Sequence, residues 1–329
     1  MRKRRVIMRG RSVVYHCMSR TVNGERLFGP SHREVFRKMM IRASEFSGVR
    51  VITYCLMENH FHILVEVDSV NDPSDEELVR RFRALYPEPG PYQPVSAERL
   101  EEMLRQGGAE AERFRAVLLA RMGSVSEFMK TLKQRFSVWF NGVHRRYGPL
   151  WSDRFKSVLV EGDSFAVETV AAYIDLNPVR AGIVVDPKDY PYCGYGRAMA
   201  SGEFEREGIR GLSPKRTMSV RGYRKILLGK AGMAAGGGDF VDDSEVIEKP
   251  EGEGVPRRSG SLLSTVRHFT HGKVLGSEGF VRRALEEFAV FREVATRRRS
   301  PVTVGGLEGL YSGTRVRRRK TCQVDLDSV

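Results

Sequence analysis

The chain has 329 residues, 41% of them hydrophobic and 29% charged, which is the composition of an ordinary soluble protein with room for a sizeable core. Its formal net charge of +14 points to a polyanionic partner, nucleic acid first and an anionic membrane surface second, because neutralised phosphates release counterions. Cys17, Cys55, Cys193 and Cys322 are scattered, which excludes a disulfide framework or zinc-ribbon spacing and fits a reducing cytosol. No apolar run is long enough to cross a bilayer, and Arg9 and Arg11 interrupt what would be the apolar part of an export signal, so a soluble, cytoplasmic protein is expected.

The β-branched and aromatic run Ser12 to Ser19 predicts a first strand, with Asn23-Gly24 in the loop behind it. A helix capped by Ser31 follows, with Val35, Met39, Met40, Ala43 and Phe46 at helical spacing and Gly48 at its end. Val49 to Met57 reads as a second strand, and Glu58-Asn59 leaves room only for a tight turn into a third, His60 to Val67. Residues 69 to 123 break this rhythm and read as an insertion of charged helical segments, interrupted at Pro87-Glu88-Pro89-Gly90-Pro91 and at Gly107-Gly108.

From the N-cap Ser124, the stripe Val125, Phe128, Met129, Leu132, Phe136, Trp139, Phe140 and Val143 predicts a strong amphipathic helix. Arg154 to Val160 reads as a fourth strand with Arg154 and Lys156 on one face. A helix capped by Asp163 or Ser164 then turns Val167, Val170, Ala171 and Ile174 inward and ends near Asn177, because Pro178 disfavours helical geometry in the residue before it. Residues 1–200 thus form one domain, and regularity fades after it. Residues 201–260 read as a basic segment and a flexible linker, and 294–329 as a basic, disordered tail. Residues 261–293 predict a small C-terminal helical module, a pair that fits a helix-turn-helix and an αα-hairpin alike.

Two groups of residues carry chemistry. His60 and His62 are two apart on a strand and project together, while Phe61, Ile63 and Val65 project the other way. Alone they read either as half of a metal site or as two ordinary strand histidines. Tyr173 and Asn177 are four apart on a helix, a phenol beside a carboxamide on one face. Combined, the histidines and Asn177 would supply three ligands to a divalent cation, which would polarise a phosphate for attack by Tyr173. Arg154 and Lys156 add charge nearby.

At these residues the chain resembles the single-tyrosine HUH transposases (IS200-like), most closely the REP-associated tyrosine transposase branch. The matching pieces are YHCMSRTVNGERLF (15–28), YCLMENHFHILVEV (54–67), FNGVHRRYGPLWSDRFKSVLVE (140–161) and YIDLNPVRAGIV (173–184), in the family's order. The resemblance implies an α+β fold, a ferredoxin-like antiparallel sheet with helices on one face. It implies Mg²⁺ or Mn²⁺ held by His60 and His62, with Asn177 completing the shell, and Tyr173 as nucleophile. It further implies cleavage of single-stranded DNA near hairpins through a 5′-phosphotyrosine, with Arg154, Lys156 and Arg180 as DNA contacts, by a monomer or a homodimer. The 69–123 insertion is longer than the family's usual link. A water-based metal nuclease and a non-catalytic DNA-binding regulator using the C-terminal helices are the alternatives. The target sequence, a self-mobilising or host role, and whether the tyrosine acts in cis or in trans are not legible.

Overall fold

The computed structural model describes residues 12–68, 72–90, 93, 95–162, 164–213, 215–233, 269–270, 272–290, 301–304, 307 and 309–313. Strand β1 (Val13–Arg20) is buried along its length except at Arg20, as expected of a strand covered on both faces. Helix α1 (Pro30–Ser47) starts one residue before the expected Ser31 cap, since Pro30 has no N–H to leave unpaired in a first turn. It ends at Gly48, in the left-handed conformation with φ 66°. Strands β2 (Arg50–Leu56) and β3 (His60–Val67) form the expected hairpin, closed by the Met57 N–H donating to the His60 carbonyl at 2.8 Å.

Helix α5 (Val125–Val143) leads to β4 (Lys156–Val160), which begins two residues later than the sequence suggests. The strands run in the order β2-β3-β1-β4, every pair antiparallel. With α1 after β1 and α5 after β3, this is the βαββαβ arrangement of a ferredoxin-like α+β fold.

The helices cover both faces of this sheet, not one. On the first face α1 and α5 pack Phe36, Met40, Phe128 and Phe136 against Phe61, Ile63 and Val65 of β3. On the second, α6 (Ser164–Asp175), α7 (Asn177–Arg180), α8 (Gly194–Met199), α9 (Glu203–Arg210) and α10 (Val220–Met233) pack over Val14, Leu64, Val158 and Val160. The alternation of β-strand side chains makes this necessary: both parities of β1 and β3 are apolar or must be dry, so neither face can be left to water. Helices α9 and α10 occupy part of the stretch read as a basic segment. Their buried side chains are few, Ile209, Tyr223 and Leu227 among them, and stand among arginines and glycines that hide the helical period.

The insertion is a three-helix unit, α2 (Asp75–Leu85), α3 (Ala97–Gln106) and α4 (Ala109–Leu119). Ser74 and Ser96 cap the first two, and Leu78, Phe82, Leu85, Leu100, Leu118 and Met122 make a separate core closed by Phe46 of α1. At the other edge, β5 (Val274–Gly276) runs parallel to β4, and β7 (Tyr311–Ser312) and β6 (Val302–Thr303) extend the sheet to seven strands. Between β5 and β6, α11 (Glu278–Val290) packs Phe280, Val281 and Ala284 into the first-face core. Its cap Ser277 donates from both N–H and Oγ to Glu161, at the end of β4. The C-terminal segment therefore joins the main sheet, and part of the stretch read as a disordered tail is β6 and β7. Most of the acidic linker, of the first helix of the expected pair and of the basic tail lies outside the described residues. Among the described residues no helix is long and apolar enough to cross a membrane.

Candidate active site

The site is on the second face, where three strands place even-numbered side chains together. Register pairs Arg20 with His60, Met18 with His62 and His16 with Leu64, so His16 is the diagonal neighbour of His62 on the same face. Their rings are 5.0 Å apart by centroid, and His16 Nε2 lies 2.9 Å from His62 Nδ1. His16 is wholly buried and His62 nearly so.

The hydrogen bonds fix both tautomers of the strand pair. His16 Nδ1 is 3.0 Å from the Phe269 carbonyl, which can only accept, so the proton of the neutral ring is on Nδ1 and Nε2 accepts. His62 must then donate from Nδ1, leaving its Nε2 with a bare lone pair. At His60, Nδ1 lies 2.6 Å from Asn59 Oδ1, while Asn59 Nδ2 donates to the Gly24 carbonyl at 2.9 Å, which identifies the amide oxygen. His60 is likewise protonated on Nδ1 with Nε2 bare. Burial pushes His16 down to about 3 and His60 down to about 4, with Arg180 adding to both, and lowers His62 well below its ordinary value. All three rings are therefore neutral at pH 7, as metal-binding imidazoles must be.

Tyr173 projects from α6 into the same place. Its ring is 5.9 Å from that of His16 and 5.8 Å from that of His62, edge-on to both, and stacks on Phe269 at 4.6 Å. The Arg180 guanidinium carbon lies 3.9 Å from the tyrosine centroid. Arg180 Nη1 is buried with no hydrogen-bond partner. Burial raises the tyrosine pKa while Arg180 opposes the rise, and burial lowers that of Arg180.

Asn177 opens α7 and is buried, and Pro178 occupies the first turn of that short helix, as its missing N–H allows. Leu176 separates α6 from α7, so the helix breaks one residue earlier than expected. Among the described residues no three His, Cys, Asp or Glu side chains are arranged to hold a metal. The imidazole donors for an ion are thus the two bare Nε2 atoms, and any third protein ligand would be an oxygen donor, such as the Asn177 amide. Two imidazoles with second nitrogens already anchored suit a divalent cation.

Lys156 shares the histidine face by register, opposite Met18, and is exposed. Arg154 lies in the bend before β4, not in the strand, so alternation does not give it that face. Two further residues have no signal in the sequence reading. His16 could have been found from the shared parity of His16, His60 and His62 once β1 and β3 are paired. Asp175, wholly buried, accepts from Thr53 Oγ1 at 2.9 Å, the Tyr195 N–H at 3.0 Å and the Tyr223 hydroxyl at 2.7 Å, tying α6 to β2, α8 and α10. Burial pushes its pKa up to about 6 against these bonds.

Residues 11–84 match the family model described as Transposase IS200 like, a span that includes His16, His60 and His62 and stops short of Tyr173. A solved structure of a REP-associated tyrosine transposase bound to a REP hairpin is similar over 62% of this chain and 90% of that one, at 14% identity and a TM-score of 0.35. That likeness is too loose to carry an argument. No curated protein matches the chain. Through its histidine strands, this part of the chain is similar to the IS200-like transposases.

Proposed function

We propose that this protein is a transposase, a metal-dependent single-strand DNA transesterase of the REP-associated branch, acting near hairpins through a 5′-phosphotyrosine. The observation that carries the reading is Tyr173 edge-on to His16 and His62, beneath Arg180, whose buried Nη1 has no partner. A divalent ion on His60 and His62 would polarise the scissile phosphate, and Asn177 or water would complete its shell. Two nitrogen ligands favour Mn²⁺ over Mg²⁺, which prefers oxygen.

Tyr173 Oη forms a bond to phosphorus as the bond to the 3′-oxygen breaks, and the phenol proton is matched by the proton the leaving 3′-hydroxyl takes up. Free tyrosine has a pKa of about 10, so its phenolate needs a cation at hand. Arg180, which keeps its charge even when buried, supplies that cation and has a donor free for a phosphate oxygen. The phosphotyrosine conserves the energy of the broken phosphodiester, so a 3′-hydroxyl can attack it and reseal. Lys156, at the open end of the same face, and exposed Arg154 would contact the strand.

The test is incubation with hairpin-containing single strands and Mn²⁺, followed by denaturing electrophoresis. A covalent protein–DNA adduct that Tyr173→Phe abolishes is the expected result. Cleavage without an adduct by both proteins would identify a water-based nuclease, and neither cleavage nor adduct would leave a DNA-binding regulator.

A further inference from the structure

We propose that Arg121 and Arg135 form a second phosphate seat, remote from the histidines, that holds the DNA flanking the cleaved strand. The proposal rests on the DNA-processing reading above and concerns a different face of the molecule.

The seat lies where the insertion meets the core. Tyr86, just after α2, packs its ring on Phe82 at 5.0 Å and on Phe46 of α1 at 6.2 Å. Arg121, just after α4, lies with its guanidinium carbon 4.7 Å from the Phe46 centroid and 5.7 Å from that of Tyr86. Its Nη2 donates to the Tyr86 hydroxyl at 2.8 Å. Arg135 of α5 approaches the same ring to 5.3 Å. One tyrosine thus orients two half-buried guanidinium groups, and Arg42 on α1 adds a third positive charge whose field acts on Arg135.

Among the described residues no carboxylate forms an ion pair with any of the three. Most other arginines of the insertion are paired, Arg80 and Arg81 with Glu77, Arg83 with Glu98, Arg105 with Glu102, and Arg115 with Asp72 and Asp75, whereas Arg99 and Arg113 have no ion pair among the described residues. Arginine does not shed its proton to relieve crowding, so the two half-buried guanidinium groups, with the charge of exposed Arg42 added to their field, call for an anion. Burial lowers the Arg135 pKa, with Tyr86 opposing the shift and Arg42 and Arg121 adding to it.

The anion this chemistry fits is a phosphodiester. Guanidinium groups present paired N–H donors to phosphate oxygens, and the ring contacts pre-orient two of them. The chain's charge of +14 favours a nucleic acid over an acidic protein segment. Arg135 is on a helix of the first face, whereas Tyr173 and the histidines are on the second. A strand lying in the active site cannot also lie here, so the seat takes a flanking part of the same DNA, such as a hairpin stem.

The experiment measures hairpin-DNA binding by full-length protein across salt from about 50 to 200 mM, for wild type and an Arg121→Gln/Arg135→Gln double variant. Loss of two phosphate contacts should reduce the slope of log K against log salt by about 2 and weaken binding at least ten-fold, on the order expected per neutralised phosphate. Melting temperature should stay within a few degrees of wild type, because relief of repulsion offsets the lost ring contacts and the Tyr86 hydrogen bond, and no carboxylate is left unpaired. Adduct formation on a short single strand without the stem should be unchanged. An unchanged slope in a folded variant would overturn the seat alone, whether or not melting falls. Equal loss of adduct on the short strand would also overturn it. Wild-type protein that binds no hairpin DNA would overturn the seat and the proposed function together.

Discussion

One strand separates two kinds of interior. On the first face of β3, Phe61 meets Phe36 at 4.9 Å and Trp151 at 5.4 Å, and the aromatic cluster continues through Phe136, Phe28 and Phe140. On the second face, one residue along the chain, are His60 and His62, and against them lie His16, Tyr173 and Arg180. The first face buries hydrocarbon and gains stability with each ring. The second buries three imidazoles, a guanidinium with an unpartnered nitrogen, and a carboxylate, every one of them shifted by burial in the direction that opposes charge. A sheet with two covered faces can hold such a costly arrangement on one side because the other side is devoted to packing.

Adjacent residues give the sharpest separation of the two roles. His60→Ala should reduce adduct formation by at least about 10³-fold, as loss of a residue that acts as part of a unit does, with unfolding free energy within about 1 kcal/mol of wild type. Phe61→Ala should do the reverse. It should lower unfolding free energy by about 3–5 kcal/mol, while the folded fraction forms adduct at the wild-type rate. Denaturant titration beside adduct electrophoresis reads both, and equal effects of the two variants on both measures would dissolve the distinction between the faces.

Arg180 sharpens the comparison from the catalytic side. Arg180→Gln should slow adduct formation by about 10²–10³-fold, the scale of losing one donor to a developing oxyanion. Because its Nη1 has no partner to strand, stability should not fall with activity. Single-turnover rates at saturating DNA separate this loss from weaker binding.

Much of this division is legible in the sequence, and the part that is not has definite causes. Alternation in His60 to Val65 gives the two faces of β3 directly, and the motif from Tyr173 to Gly182 brings in the proposed nucleophile and Arg180. His16 escapes because a single histidine in an apolar strand has no local signal; only the antiparallel pairing of β1 with β3 puts it beside His62. Asp175 escapes because its partners Thr53, Tyr195 and Tyr223 are 122, 20 and 48 residues away. That helices cover the second face as well as the first is missed for a related reason, since covering both parities of β1 is a property of the whole sheet. The strand β5 is three residues long, too short for any periodicity.

Asp175 tests whether the catalytic face has a structural anchor of its own. Asp175→Ala leaves the Thr53 and Tyr223 hydroxyls and the Tyr195 N–H without their acceptor, at roughly 1–3 kcal/mol for each donor left dry, offset by removing a buried carboxylate. A net loss of about 3 kcal/mol is expected, with hydrogen exchange rising first in α6 and α10. Exchange that rises equally in α1 and α5 would mean that the two faces unfold as one.

The smallest expected effect is the most specific to the histidine face. His16 is pushed by burial from its ordinary 6.5 down to about 3, so below pH 6.5 the unfolded chain takes up a proton that the folded chain refuses. Stability carried by the neutral ring is therefore lost on acidification, by about 2 kcal/mol between about pH 7.5 and pH 5. Asp175 acts in the opposite sense, since a folded-state pKa of about 6 favours the folded state as pH falls towards 3.8. The contribution of His16 has to be read as a difference between variants. His16→Gln can still accept from His62 Nδ1–H and donate to the Phe269 carbonyl, but does not titrate. Its unfolding free energy should fall about 2 kcal/mol less than that of wild type over this range, and its Mn²⁺ affinity should stay near wild type. His16→Leu should show the same loss of pH dependence, yet bind Mn²⁺ about 10–100-fold more weakly, because nothing then holds the His62 proton on Nδ1. Equal Mn²⁺ affinity in the Gln and Leu variants would mean that His16 only fills space, and that the catalytic face is organised by the ion and not by the protein around it.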